Sequence, residues 1–184
     1  MAGLSQRIQS AALAVIFGAV VLCVEGAAWA ADIARADELK AAYLFNFAKL
    51  VEWPASSPVD TLTICFVGAS AVHDAFKRAA GDKQVGTRRI VVRPMAASEP
   101  RAGCDVLYLD AALTGLQLPE NVGPGALTVS DGADFAAHGG MIELFAEGNR
   151  LRFNINLPSA QRAGLRISSN LLQLAAHIEK GGTR

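Results

Sequence analysis

The chain has 184 residues, with 17 basic and 17 acidic side chains and a formal net charge of zero. That balance excludes a basic field for nucleic acid or anionic lipid. Hydrophobic residues make up 52%, a membrane-like share, but the excess is concentrated in the first thirty positions.

Arg7 supplies a positive start, Ala11 to Val24 form an uncharged apolar run, and Ala28-Trp29-Ala30 is the small-x-small pattern after which a signal peptidase cuts. The run is shorter than the roughly 20 apolar residues that span a bilayer. Leu22 precedes Cys23 where a lipoprotein signal carries a small residue. The expectation is a cleaved secretory signal over residues 1–30 and one exported domain over 31–184, long enough to bury a core. Cys23 leaves with the signal, so Cys65 and Cys104 reach an oxidising compartment and are expected to pair; two free buried thiols are the alternative. A bridge there closes a loop of about 40 residues, on the order of 4 kcal/mol in the chain-entropy picture.

Within the exported part, Asp37 is placed to cap a helix running to about Val51, which Trp53-Pro54 ends because the residue before proline is pushed out of the helical region. Leu39, Tyr43, Phe47 and Leu50 form one stripe, and Leu44, Phe45 and Val51 widen it past a single face, so this helix needs covering on two sides. Thr61 to Val67 has the β-branched and aromatic character of a strand, and Ser70 to Ala80 that of a helix. Gly81 to Thr87 turn the chain. Arg88 to Arg93 make a second strand and Asp105 to Leu109 a third, whose apolar run suits burial on both faces.

A short helical turn from Ala111 to Leu116 precedes a fourth strand, Ala126 to Ser130. Met141 to Glu147 and Arg150 to Leu157 are strands joined at Gly148-Asn149, a two-residue hairpin signal that brings antiparallel pairing. In the second of them Leu151, Phe153 and Ile155 alternate with Arg152, Asn154 and Asn156, one face for the core and one polar. Pro158 and Gly164 bound a short helix, Leu165 to Ile167 reads as extended, and Ser168 or Ser169 caps a last helix with the stripe Leu171, Leu174, Ala175 and Ile178. Strands alternating with helices imply mostly parallel pairing.

Catalytic patterns are weak. His73, His138 and His177 are scattered with no cysteine or carboxylate at ligand spacing, so no metal site and no cofactor are expected. Ser130, Asp131 and His138 include the residue types of a triad, but there is no G-x-S-x-G elbow, and a turn explains them as well. Val67-Gly68-Ala69-Ser70 reads as an ordinary strand-to-helix turn rather than an anion cradle. Glu143 and Glu147 share a strand face as surface acids. No enzyme is expected.

Four blocks together resemble the YfiR-like family of periplasmic proteins: Lys40 followed by AAYLFNFAKLVEWP, then TICFVG, ALTVSDGADFAAHGGMIEL, and RFNINLPSAQRAGLRISSNLLQLA, covering Leu39 to Ile178 in order. The resemblance implies a three-layer α/β sandwich with a mixed, mostly parallel sheet and an antiparallel hairpin toward the C-terminal end, usually dimeric and without catalytic residues. It implies a periplasmic repressor that binds the periplasmic part of an inner-membrane diguanylate cyclase and so controls cyclic-di-GMP and biofilm formation, with an outer-membrane OmpA-like lipoprotein drawing the repressor away. Cys65 and Cys104 match family cysteines, whereas a second family pair is missing here, which puts redox regulation in doubt and leaves a structural bridge.

The pairing raises a geometric difficulty. Were the strands of Cys65 and Cys104 aligned at their starts, the two residues would lie at least about 13 Å apart along the sheet, whereas a disulfide needs Cα atoms about 4.4 to 6.8 Å apart. Either the register is shifted or the segment before Cys104 folds back. Phe45 and Trp53 are the candidate partner or dimer surface, because large apolar patches mark interfaces. A small-ligand sensor for another envelope receptor or kinase is the second reading, using Arg152, Asn154 and Asn156, for which a solvated face is the plainer explanation; a hydrolase is third.

Overall fold

The computed structural model describes residues 33–54, 60–68, 70–100, 102–113, 122 and 124–180; the expected signal segment and residues 114–116 of the expected helical turn lie outside them. The chain divides into the units Met1–Ala36 and Asp37–Arg184. In the first, the described residues 33–36 are helical.

The second unit is an α/β fold built on an eight-stranded mixed sheet. Its helices are α1 (residues 37–50), α2 (Ser70–Ala80), α3 (Leu157–Arg162) and α4 (Ser169–Leu174). Its strands are β1 (Val51–Glu52), β2 (Thr61–Val67), β3 (Gln84–Val85), β4 (Arg88–Met95), β5 (Val106–Leu109), β6 (Leu127–Ser130), β7 (Ile142–Glu147), β8 (Arg150–Asn156), β9 (Arg166–Ile167) and β10 (His177–Glu179). The main sheet has the order β10-β8-β7-β6-β5-β2-β4-β3, and β1 pairs with β9 apart from it. Only β3-β4 and β7-β8 are antiparallel within the main sheet. The hairpin at Gly148-Asn149 therefore forms as the sequence predicts.

Strand alternation sorts the core onto the two faces of the sheet. Leu62, Ile64 and Phe66 of β2, with Val106 and Tyr108 of β5 and Leu127 and Val129 of β6, face the larger cluster. Helix α1 covers them with Ala41, Leu44, Phe47 and Ala48, and α2 with Val72, Ala75, Phe76 and Ala80. Two aromatic groups organise this side. The rings of Tyr43, Phe47 and Phe153 meet edge-on at 5.1 to 5.8 Å, and Phe66 packs on Phe76 and Tyr108 at 5.5 and 5.9 Å. The Tyr43 hydroxyl donates to the Leu151 carbonyl at 2.9 Å, so the half-buried phenol is satisfied.

Cys65, Val67, Met95, Cys104, Leu107 and Leu109 form a smaller cluster, closed by Leu113, Val122 and Phe135. All four α-helices feed the larger cluster, so among the described residues this smaller one is covered by loops and by the single 3-10 turn Ala111–Leu113. The bridge between Cys65 and Cys104 is formed. The register sets Cys65 opposite Leu107, which would leave an extended Cys104 roughly 10 Å back along the sheet. The Cα atoms are 5.8 Å apart instead. Cys104 lies outside β5, just after a turn at Ala102-Gly103 where Gly103 has φ +78°, and folds over the face that carries Cys65.

Three expectations need correction. Asp37 is not a helix cap, because residues 33–36 are already helical; its carboxylate stands 3.6 Å from Lys40, one turn on. The last helix stops at Leu174, which is 64% exposed, and His177–Glu179 turn into β10 along β8. Pairing there covers backbone groups that β8 would otherwise leave on an open edge. Gly81 to Thr87 holds β3, which forms a hairpin with β4.

Phe47→Ala removes a ring that is 1% exposed between two aromatic neighbours. The expected loss is about 3–5 kcal/mol, read as a lower urea midpoint at unchanged slope.

Candidate functional site

The sequence-predicted surface residues Phe45 and Trp53 each lie by a cation of the stretch 83–88, around the turn that joins β3 to β4. Phe45 is half-buried on α1, and its ring lies 5.4 Å from Lys83 Nζ in the turn before β3. Trp53 follows β1, with its ring 5.8 Å from the Arg88 guanidinium at the start of β4. Both rings pack on the larger core cluster, so neither is the bare patch that the apolar sequence suggests. The Trp53 Nε1 is buried without a hydrogen-bond partner.

Arg88 anchors the hairpin. Its Nη2 meets Asp105 Oδ1 at 2.6 Å and its Nε donates to the Thr61 carbonyl at 2.9 Å, while Asp105 Oδ2 accepts from the Thr63 amide at 2.7 Å. One ion pair thus ties together the starts of β2, β4 and β5. Both side chains are almost buried, and the extra bonds to backbone offset desolvation that a bare pair would not recover.

The second predicted face separates. Arg152 pairs with Glu147 across the hairpin at 2.9 Å, and Asn154 lies between Glu143 and His177 on the neighbouring strands. Asn156 is buried and does not belong to a solvated polar face. Its Oδ1 accepts from the Ser159 amide to cap α3, and its Nδ2 donates to the Ala136 carbonyl at 2.8 Å. The strand alternation is right for this residue, but the loop from Asp131 to Gly140 covers it.

A buried polar cluster that the sequence reading missed lies at the carboxyl ends of β5 and β6. Lys40 of α1 donates to Asp131 Oδ2 at 2.6 Å, and Asp131 Oδ1 accepts from the Ala111 amide at 2.9 Å. Burial pulls the Lys40 pKa down, but the hydrogen bond and charge of Asp131, with Asp37 adding, more than compensate and raise it above the ordinary 10.5. The Tyr108 hydroxyl is buried beside this cluster. Burial first, then the negative charges of Asp131, Asp110 and Asp37, push its pKa far above the usual 10.0 and keep it neutral. Asp131 bears on Tyr108 through its charge; the hydroxyl completes no hydrogen bond of good geometry. The sequence signal was Lys40 itself, a lone cation at the start of an apolar helix.

The catalytic patterns considered from sequence do not assemble. Ser130 donates to the Leu109 carbonyl and accepts from the Gly132 amide, Asp131 is held by Lys40, and His138 is exposed with Nδ1 on the Asp134 carbonyl. His73 pairs with Asp74. Glu143 is no idle surface acid, because its Oε2 accepts from the Ala136 amide. At Gly68, φ +83°, a Cβ would stand 2.6 Å from Leu113 Cδ1. The space over this turn between β2 and α2, where open α/β sheets commonly receive ligands, is therefore filled by an apolar side chain. Among the described residues no group of three or more histidine, cysteine or acidic side chains is placed to hold a metal, and no helix is long and apolar enough to cross a membrane.

Residues 37–176 match the family model described as YfiR/HmsC-like. Among solved structures, the ABC domain in complex with L-Trp from Streptococcus pneumonia is similar at 11% identity and a TM-score of 0.41, over 64% of this chain and 55% of that one. A conserved domain protein from Vibrio cholerae O1 biovar eltor is similar at 14% identity and a TM-score of 0.42, over 64% and 54%. The chain spans about half the length of these two proteins.

Two outcomes are expected. Lys40→Met strands the Asp131 carboxylate and should lower stability by on the order of 1–3 kcal/mol at pH 7, measured by urea unfolding. Because the folded Lys40 pKa is raised, its contribution is complete below about pH 10.5 and is lost as pH rises further; the variant should therefore show a shallower alkaline loss than the wild type. Thiol titration of unfolded, unreduced residues 31–184 should find no free sulfhydryl, and Cys65→Ala with Cys104→Ala should lower stability by about 4 kcal/mol.

Proposed function

The chain belongs to the YfiR/HmsC-like family, and from that premise we propose that it is an exported repressor that holds a membrane diguanylate cyclase inactive by binding it. The family's members are non-catalytic periplasmic regulators connected with the cyclic-di-GMP pathway, and the match over residues 37–176 is the observation that carries the reading. In this proposal residues 1–30 are a signal peptide removed on export, and residues 31–184 are the working protein. The partner is the periplasmic domain of an inner-membrane cyclase, and an outer-membrane OmpA-like lipoprotein competes for the repressor. The repressor acts as a homodimer by occupancy, without turnover.

The placement of Phe45 and Trp53 supports a binding role for the end of α1 and the β3-β4 hairpin. Two aromatic rings held half-buried by packing and by cations offer rigid contact area that loses little side-chain entropy on docking. The small-ligand alternative is weaker, since Asn156 is committed to the α3 cap and Arg152 to Glu147.

Calorimetric titration of residues 31–184 into the purified periplasmic domain of a diguanylate cyclase from the same cell tests the reading. A saturable complex of fixed stoichiometry is expected, and deletion of the repressor should raise cellular cyclic-di-GMP. A cyclase domain that takes up no heat, with unchanged cyclic-di-GMP in the deletion strain, removes the proposal.

A further inference from the structure

Two ammonium groups from different elements converge on one aromatic ring. Lys49 Nζ stands 5.7 Å from the Phe45 ring centroid and Lys83 Nζ 5.4 Å. Lys49 is one helical turn beyond Phe45 on α1, and Lys83 lies in the turn between α2 and β3. Both lysines are exposed. Lys83 also donates to the Ala79 carbonyl at 2.7 Å. Among the described residues neither ammonium has a carboxylate within ion-pair distance, and Asp82, next to Lys83, pairs with neither.

The contrast with the neighbouring pair is informative. Arg88 also lies over a ring, that of Trp53, but Asp105 neutralises it at 2.6 Å. At Phe45 the charge is left uncompensated, with two cations within roughly a Debye length of each other, about 10 Å at 0.1 M salt. Ring attraction at an exposed site is weak, so an anion placed near both ammonium groups relieves their repulsion. The backbone beneath both lysines is fixed in advance. Leu44, Phe47 and Ala48 hold α1 on the core, and Ala80 and Val85 hold the segment that carries Lys83. A site whose backbone is already in place loses less on binding.

We propose that Lys49, Phe45 and Lys83 form a docking surface for an acidic segment of a partner polypeptide. A carboxylate of that segment bridges the two ammonium groups, and the apolar part of its side chain lies on the Phe45 ring. The inference rests on the binding role proposed above and names the chemistry of the contact. The partner is a protein, not a membrane, because the chain carries no net charge and two lysines flanking one half-buried ring are too small a field for a lipid surface.

The test titrates the 15N-labelled exported chain with a hexaglutamate peptide and, separately, with phosphatidylglycerol vesicles. Saturable amide shifts confined to residues 45–49 and 83–85 are expected with the peptide. They should weaken about tenfold in affinity in the Lys49→Glu, Lys83→Glu double variant and persist in the Lys49→Arg, Lys83→Arg double variant. Absent or scattered shifts, an unchanged response in the glutamate variant, or a lysine-dependent response to vesicles alone overturns the proposal. Affinity for the cyclase domain separates it from the reading on which it rests. A glutamate variant that binds that domain as well as wild type removes this surface and keeps the repressor. A wild-type chain that answers the peptide but not the cyclase domain keeps the surface and removes the repressor.

Discussion

A strand buried on both faces has to satisfy its backbone and both sets of side chains without water, and β2 imposes that demand on the rest of the domain. Leu62, Ile64 and Phe66 point one way and Cys65 and Val67 the other, all of them at most 2% exposed. The first set needs α1 and α2 as a lid. The second needs a lid of its own, and no α-helix supplies one among the described residues. The disulfide does part of that work. It pins the turn before β5 over Cys65 and so fixes loop chain where a helix layer would otherwise stand. Loops cover apolar surface poorly, because their own backbone groups require partners. A covalent tie compensates by cutting the freedom that such a loop retains when unfolded.

The polar residues that surround the loop between β6 and β7 follow the same logic. Ser130, Thr128, Glu143 and Asn156 each bond to a backbone group of that loop or its flanks, and Lys40 reaches Asp131 from α1. A segment rich in serine, aspartate, glycine and histidine looks like chemistry when read along the chain. In three dimensions the Ser130 hydroxyl holds the loop and the Asp131 carboxylate fastens α1 to the sheet. The same bonds that stabilise the domain thus take Ser130 and Asp131 out of the triad that the sequence suggests.

How much of this was legible depends on how far apart the interacting residues lie. The strand Thr61–Val67, the helix Ser70–Ala80 and the Gly148-Asn149 hairpin follow from composition and turn chemistry within a few residues. The cysteine pairing follows because only two cysteines remain in the expected exported part. The bond from Lys40 to Asp131 spans 91 positions, and no local pattern announces it. Asn156 had the polar phase of strand β8, but alternation reports which face a side chain takes, not what covers that face. Ile178 continued a helical stripe in sequence; the open edge of β8 won the segment instead, since unpaired backbone weighs more than a weak amphipathic period.

The apolar stretch around α1 is where pattern and structure diverge most usefully. Phe45 and Trp53 look like surplus hydrophobic surface, and surplus surface on an exported chain invites aggregation. Both rings are instead turned half into the core and flanked by cations from α1, from the turn before β3 and from β4, and β3 is too short to be seen in sequence. Lysine and arginine over an aromatic face keep it wet at the edge and available at the centre. A partner that displaces only hydration gains contact with a fixed ring and fixed charges, whereas a nonspecific apolar contact must first push the cations aside. Selectivity on such a surface comes from charge placed around the ring, and the area of apolar surface contributes little to the choice of partner.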